Sequence, residues 1–81
     1  MNTAKLLRLP DVLALTASTR STHYLRIKQR LMIPPVKLGE RCAAYPAEEI
    51  AAINAARIAG KTTDEIRELV ARLVEARTAE A

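Results

Sequence analysis

Residues 10–31 read PDVLALTASTRSTHYLRIKQRL, and this stretch decides how the chain is organised. Pro10 opens a helix, because the first helical turn has no use for the N–H that proline lacks. Asp11 in that turn complements the helix dipole. Val12, Leu13 and Leu15 give a short helix over 10–16 its apolar side. Thr16-Ala17-Ser18-Thr19 follows, with three hydroxyl side chains in four, a composition that favours turns and N-caps. A second helix is expected from 19 or 20 to 31, marked by Tyr24, Ile27 and Leu31 at i, i+3 and i+7. Apart from Leu25 and His23, its remaining positions are polar, mostly basic or hydroxyl-bearing, and no Asp or Glu occurs over 12–39.

The flanks complete the pattern. Upstream, Leu6, Leu7 and Leu9 surround Arg8, and 6–8 reads as a short strand or extended lead-in. Downstream, Pro34-Pro35 stops the second helix. Val36-Lys37-Leu38 alternates as a half-buried strand does, Gly39-Glu40-Arg41 suits a hairpin turn, and Cys42-Ala43-Ala44-Tyr45 suits the return strand. Pro46 opens a third helix with Glu48 and Glu49 in its first turn, Ile50, Ile53 and Ile58 on its buried side, and Gly60 at its end. Thr62 or Thr63 caps a fourth helix over 63–77, with Glu65 completing a capping box for Thr62. Ile66, Leu69, Val70, Leu73 and Val74 recur along one of its faces.

A short helix, a tight turn, a longer basic helix and then a hairpin make a winged helix-turn-helix. The fold class expected is therefore mainly α with a small β-hairpin, plus an additional C-terminal helix. Residues 1–60 form the winged unit, and residues 61–81 an amphipathic helix that packs on the core, dimerises, or does both.

Composition excludes other classes. Eighty-one residues are too few for a two-domain enzyme or a large sheet covered on both faces. Twenty Leu, Ile and Val argue against wholesale disorder. One cysteine, Cys42, and one histidine, His23, cannot make an intrachain disulfide or a four-ligand zinc site, and no cofactor is expected. No Ser/His/Asp or Cys/His set is available, so the chain reads as a non-enzyme, with its glutamates on solvated helix faces. No apolar run approaches the roughly 18 residues that span a bilayer. Met1 to Arg8 lacks a signal peptide's apolar stretch and cleavage site, so a cytoplasmic, nucleoid-associated location is expected.

The charge is unevenly placed. Residues 1–45 carry eight Lys and Arg against Asp11 and Glu40, a balance of +6, whereas residues 46–81 carry five against seven, a balance of −2. A basic patch on a small domain is the footprint of a polyanion partner, set against the plainer reading that it solubilises the surface. The major groove of double-stranded DNA admits one α-helix, read by residues near its N-terminus. Thr19, Arg20, Ser21 and Thr22 are suited to that place, and the first-turn amides to a phosphate. Arg26 and Lys28 fall farther along, near the DNA backbone. Lys37 and Arg41 flank the hairpin turn, where a wing reaches phosphate or the minor groove. A single-strand RNA reader is disfavoured by the lack of an aromatic stacking platform.

The run Leu7-Arg8-Leu9-Pro10-Asp11-Val12-Leu13-Ala14-Leu15-Thr16, followed by Thr19-Arg20-Ser21-Thr22-His23-Tyr24, resembles the AlpA family. These are small prophage regulators related to excisionases and to the MerR-like winged helix. The likeness continues through Pro35-Val36-Lys37-Leu38-Gly39, Ala44-Tyr45, Glu48 and Ile50, covering 6–53. It implies DNA binding near phage attachment sites or promoters, with integrase or RNA polymerase as functional partner. The chain then acts as a transcriptional regulator or, alternatively, as an excisionase-type factor that bends DNA for a recombinase. The resemblance also suggests that Tyr24 sets its hydroxyl on a phosphate while its ring packs; core packing alone is the other reading. Four positions depart from the family's usual residues: Ala17 replaces a turn glycine, His23 an apolar residue, Met32-Ile33 a Phe-Pro pair and Tyr45 a tryptophan. Ala17 is strained if the turn needs φ > 0.

Three readings of single features stay open. His23 is a base contact or pH sensor, or a partly buried core-edge side chain. Cys42 reads as a small buried strand residue. The apolar face of the last helix, from Ile66 to Val74, either completes the core or forms a homodimer interface that brings two recognition helices to neighbouring half-sites. The competing class is a protein-interaction adaptor or antitoxin-like partner acting through that helix.

Overall fold

The computed structural model describes residues 5–79. Its elements are β1 (Leu6–Leu7), α1 (Leu9–Thr16), α2 (Arg20–Lys28), β2 (Val36–Gly39), β3 (Cys42–Pro46), α3 (Ala47–Ile58) and α4 (Thr63–Ala79). Residues 1–4, part of the stretch read for a leader, and 80–81, the end of the expected tail, lie outside the described residues. Four helices and a small antiparallel sheet give the winged helix-turn-helix with a C-terminal helix.

The hairpin has a third strand. β1 pairs antiparallel with β3, Leu6 with Pro46 and Leu7 with Tyr45, so the sheet order is β1-β3-β2. β2 pairs with the other edge of β3, Val36 with Ala44 and Gly39 with Cys42, and Glu40-Arg41 form the tip of the wing. Leu7 is buried and Leu6 exposed, the alternation that a half-buried strand requires.

Three helices end alike, although only one carries the expected glycine. After α1, Ala17 lies at φ 53°, its N–H bonding to the Ala14 carbonyl and the Ser18 N–H to the Leu13 carbonyl. After α2, Arg30 lies at φ 64°, with Arg30 bonded back to Ile27 and Leu31 to Arg26. After α3, Gly60 lies at φ 77°, with Gly60 bonded back to Arg57 and Lys61 to Ala56. All three are Schellman stops, in which a left-handed residue lets the chain reverse onto the last carbonyls. The second helix therefore ends at Lys28, short of residue 31, because Arg30 leaves the helical region. Ala17→Gly removes the left-handed penalty at an exposed site where no packing is lost. Thermal unfolding should show a gain of about 0.5–1 kcal/mol, a few degrees in melting temperature.

The core is a single cluster of Leu7, Val12, Met32, Ile33, Tyr45, Ile50, Ile53, Ile66 and Val70. Three expected inward positions differ. Leu15 is exposed, because Leu9 and Val12, one turn apart, set the inward stripe of α1. On α2 the buried stripe runs through His23 and Ile27, and Tyr24 stands half out of it. Ile58 is 88% exposed, since it falls well off the stripe of Ile50 and Ile53. Met32 and Ile33 are completely enclosed.

α4 closes the molecule from behind. Its capping box forms as the sequence implies: the Thr62 N–H donates to the Glu65 carboxylate (2.8 Å) and the Glu65 N–H to Thr62 Oγ1 (3.2 Å). Ile66 and Val70 enter the same core as α1 and α3, and Leu69, Leu73 and Val74 pack against it. All five residues of the face read as core or dimer interface thus pack on the chain's own core.

The polar side chains of the back half do more than solvate it, and one glutamate read as lying on a solvated face, Glu49, is buried. Asn54 donates to the Leu15 carbonyl (3.0 Å), Arg57 to the Leu31 carbonyl (3.2 Å), Arg67 to the Gln29 carbonyl (3.0 Å) and Arg77 to the Pro34 carbonyl (2.8 Å). These acceptors include carbonyls at the ends of α1 and α2, which helix geometry leaves without partners. Guanidinium groups there also meet the negative end of the helix dipole. Glu49 is buried and forms an ion pair with Arg77. The back half thereby fixes the ends of the two helices that make the helix-turn-helix.

Candidate nucleic-acid interface

α2 is held in place from three sides. Thr19 is its N-cap: Thr19 Oγ1 accepts from the Thr22 N–H (3.2 Å) and donates to Thr22 Oγ1 (3.0 Å). The turn before it is tied by its own hydroxyls, Thr16 donating to the Val12 carbonyl and Ser18 to the Thr16 carbonyl. Arg26 reaches back across the turn to donate to Ser18 Oγ (2.8 Å). From beneath, buried His23 meets Tyr45 of β3, with Nε2 and the phenolic oxygen 2.9 Å apart. That bond joins the helix to the strand that carries the wing.

The solvent face of α2 consists of Arg20, Ser21, Tyr24, Leu25 and Lys28, which share one side at helical spacing. It contains two positive charges, a hydroxyl, a phenol and an apolar side chain, and no acid. Tyr24 is 50% exposed, its ring edge-on to His23 at 5.4 Å between centroids, so the ring leans on the core edge while much of the residue stays open. Lys37 of β2 and Arg41 at the wing tip are also exposed.

The structure therefore divides the residues expected to contact DNA. Arg20, Ser21, Tyr24 and Lys28 stand together on the open face of α2, and Lys37 and Arg41 stand on the wing. Thr19 and Thr22 are occupied in capping, and the Thr22 amide expected for phosphate is taken by that cap. Arg26 is half-buried and braces the turn, on the side of α2 away from the open face. Leu25, 52% exposed at one edge of that face, was missed; its place one residue after Tyr24 and four after Ser21 is the signal that marks it.

Burial, and then the charge of Arg26, lower the His23 pKa from 6.5, so the ring is neutral at its post. Burial raises the Tyr45 hydroxyl above 10.0. Both groups stay uncharged near neutrality, as a buried hydrogen-bonded pair beneath a cationic face must. Among the described residues, no cluster of three metal-ligating side chains occurs, and no helix is long and apolar enough to cross a membrane.

The profile of one protein family, described as prophage CP4-57 regulatory protein (AlpA), matches residues 5–57. That span runs from just before β1 to within one residue of the end of α3 and includes the whole helix-turn-helix and wing. No curated protein and no solved structure matches the chain significantly.

Proposed function

The chain belongs to the AlpA family of prophage regulatory proteins, and from that premise we propose that it is a sequence-specific double-stranded DNA-binding regulator of phage or mobile-element genes. The observation that carries this reading is the acid-free open face of α2, where Arg20, Ser21, Tyr24, Leu25 and Lys28 stand together. α2 enters the major groove. Arg20 at its N-terminal end reads a guanine edge or grips a phosphate, and Ser21 bonds an adjacent base edge or phosphate. Tyr24 and Lys28 meet the backbone farther along. Lys37 and Arg41 carry the wing onto flanking phosphates, and Arg26, Thr19 and Thr22 position the helix without touching DNA. The protein works in the cytoplasm on the nucleoid, with RNA polymerase as functional partner when it acts at a promoter. Bound beside attachment sites instead, the same contacts serve an integrase as an excisionase does.

The test begins with selection of duplexes from a random pool, followed by affinity measurements on the winner and a scrambled duplex. Arg20→Ala should cost about 1–3 kcal/mol on the selected duplex and narrow its margin over the scrambled one. Lys37→Ala should weaken both duplexes alike and reduce the salt slope by about one. If both variants bind the selected duplex like wild type, the face is wrongly assigned. Genome-wide occupancy at promoters, with altered transcripts, distinguishes the regulator from an excisionase.

A further inference from the structure

A groove of about 400 Å³ runs along one flank of α4, facing the end of α2 and the segment that leads into the wing. Its apolar lining includes Ile27, Met32, Val70 and Val74, and its charges are Arg30, Arg67 and Glu75. Arg67 and Glu75 lie on the same flank of α4, eight residues or about 12 Å apart, with Ala71 midway between them. Arg67 is held at the rim by its bond to the Gln29 carbonyl and by a looser contact with exposed Asp64 at 3.6 Å. Arg30 adds a second positive charge to the lining.

We propose that a second copy of this chain covers the groove, with the two α4 helices crossing antiparallel about a two-fold axis at Ala71. A two-fold interface must be self-complementary: where one residue meets another, the reverse contact forms as well. Arg67 and Glu75 stand four residues on either side of Ala71, so the axis sets Arg67 of each copy against Glu75 of the other. A parallel pairing would set Arg67 against Arg67 and Glu75 against Glu75, so charge selects the antiparallel one. Ala71 is exposed and small, which lets the helices approach at the crossing. Val74 beside it is partly exposed and gains burial, whereas Val70 is already buried in its own core. Ile66, Leu69 and Leu73 face their own core and take no part. α4 lies outside the span matched by the family. The pairing is independent of the DNA reading, and its test contains no DNA.

Sedimentation equilibrium of the whole chain should show a concentration-dependent dimer. Arg67→Glu and Glu75→Arg should each weaken it at least about tenfold, because each reversal turns two symmetric attractions into repulsions. Mixing the two variants one to one should restore a dimer, since opposite charges then meet at both contacts. Ala71→Glu should abolish the dimer while melting like wild type at a dilution where wild type is itself monomeric, which guards against Arg67→Glu failing through its lost Gln29 contact. A wild-type chain that stays monomeric at high concentration overturns the proposal. So does an Ala71→Glu or Glu75→Arg chain that dimerises like wild type, or a mixture of folded variants that stays monomeric.

Discussion

Arg77→Ala should lower the stability of the fold by about 2–3 kcal/mol, a large share of what an 81-residue domain has to lose. Arg77 grips Glu49 through two nitrogens, Nε at 3.0–3.2 Å and Nη2 at 2.6 Å, and Nη2 also donates to the Pro34 carbonyl at 2.8 Å. The two side chains keep only 22% and 12% of their exposure. Removing the guanidinium leaves a carboxylate and a carbonyl desolvated without their donor, which costs more than the pair itself contributes. The pair joins the last turn of α4 to the first turn of α3 and the segment entering the wing. Each charge also sits at the helix end whose dipole favours it. Urea unfolding of the single variants and of Glu49→Leu/Arg77→Met tests the argument. The double variant should recover much of the loss, because no unpaired charge remains buried. A change below about 0.5 kcal/mol for Arg77→Ala, the level of a surface ion pair, would refute this account.

The pair also shows where the sequence stops being informative. Helix starts were legible, because Pro10, Thr19, Pro46 and the Thr62–Glu65 box act through neighbours in the chain. The helix-turn-helix order followed from them. Helix ends were less legible: Ala17 and Arg30 take up a conformation that only Gly60 announces by its type. Strand β1 was half-legible, since two residues carry little pattern and their partner lies near residue 46. Long-range contacts were not legible at all. Nothing local marks Arg57, Arg67 and Arg77 as the arginines of the back half that reach carbonyls of the front half.

The candidate interface was legible in its charge and less so in which residues stand on the open face of α2. The absence of acids over 12–39 located the basic surface. Which residues reach that surface depends on the phase of α2 about its axis, and the stripe chosen from Tyr24, Ile27 and Leu31 was rotated from the true one. The true stripe passes through His23, whose side chain hides its apolar role behind a polar name. With His23 inward, Tyr24 and Leu25 turn outward and Arg26 turns away. On the DNA-binding reading proposed above, the open face offers two large, partly apolar side chains among its charges, suited to the thymine methyl as well as to phosphate.

Tyr45→Phe should destabilise the fold by about 2 kcal/mol, and His23→Leu added to it should restore most of that loss. The structure makes His23 and Tyr45 partners at 2.9 Å. His23 is fully enclosed, and its Nδ1 has no hydrogen-bond partner among the described residues. Deleting the Tyr45 hydroxyl leaves both ring nitrogens desolvated and unbonded, whereas two apolar side chains leave no debt of that kind. The pair also makes stability depend on pH. The folded-state pKa of His23 lies below 6.5, chiefly through burial and next through Arg26. Above that value the ring is neutral in folded and unfolded chains alike. As pH falls through 6.5 the unfolded chain binds its proton first, so stability declines until the folded-state pKa is reached and then levels off. In the imidazolium both ring nitrogens carry a hydrogen, so Nδ1–H is left without an acceptor and Nε2 can only donate, beneath a face that already carries Arg20 and Lys28. Denaturation curves between neutral and mildly acidic pH should therefore steepen the loss for wild type relative to His23→Leu/Tyr45→Phe, which lacks the titrating group. Equal pH profiles for the two chains, or a Tyr45→Phe variant as stable as wild type, would show that the bond holds nothing and that the recognition helix is anchored to the wing by packing alone.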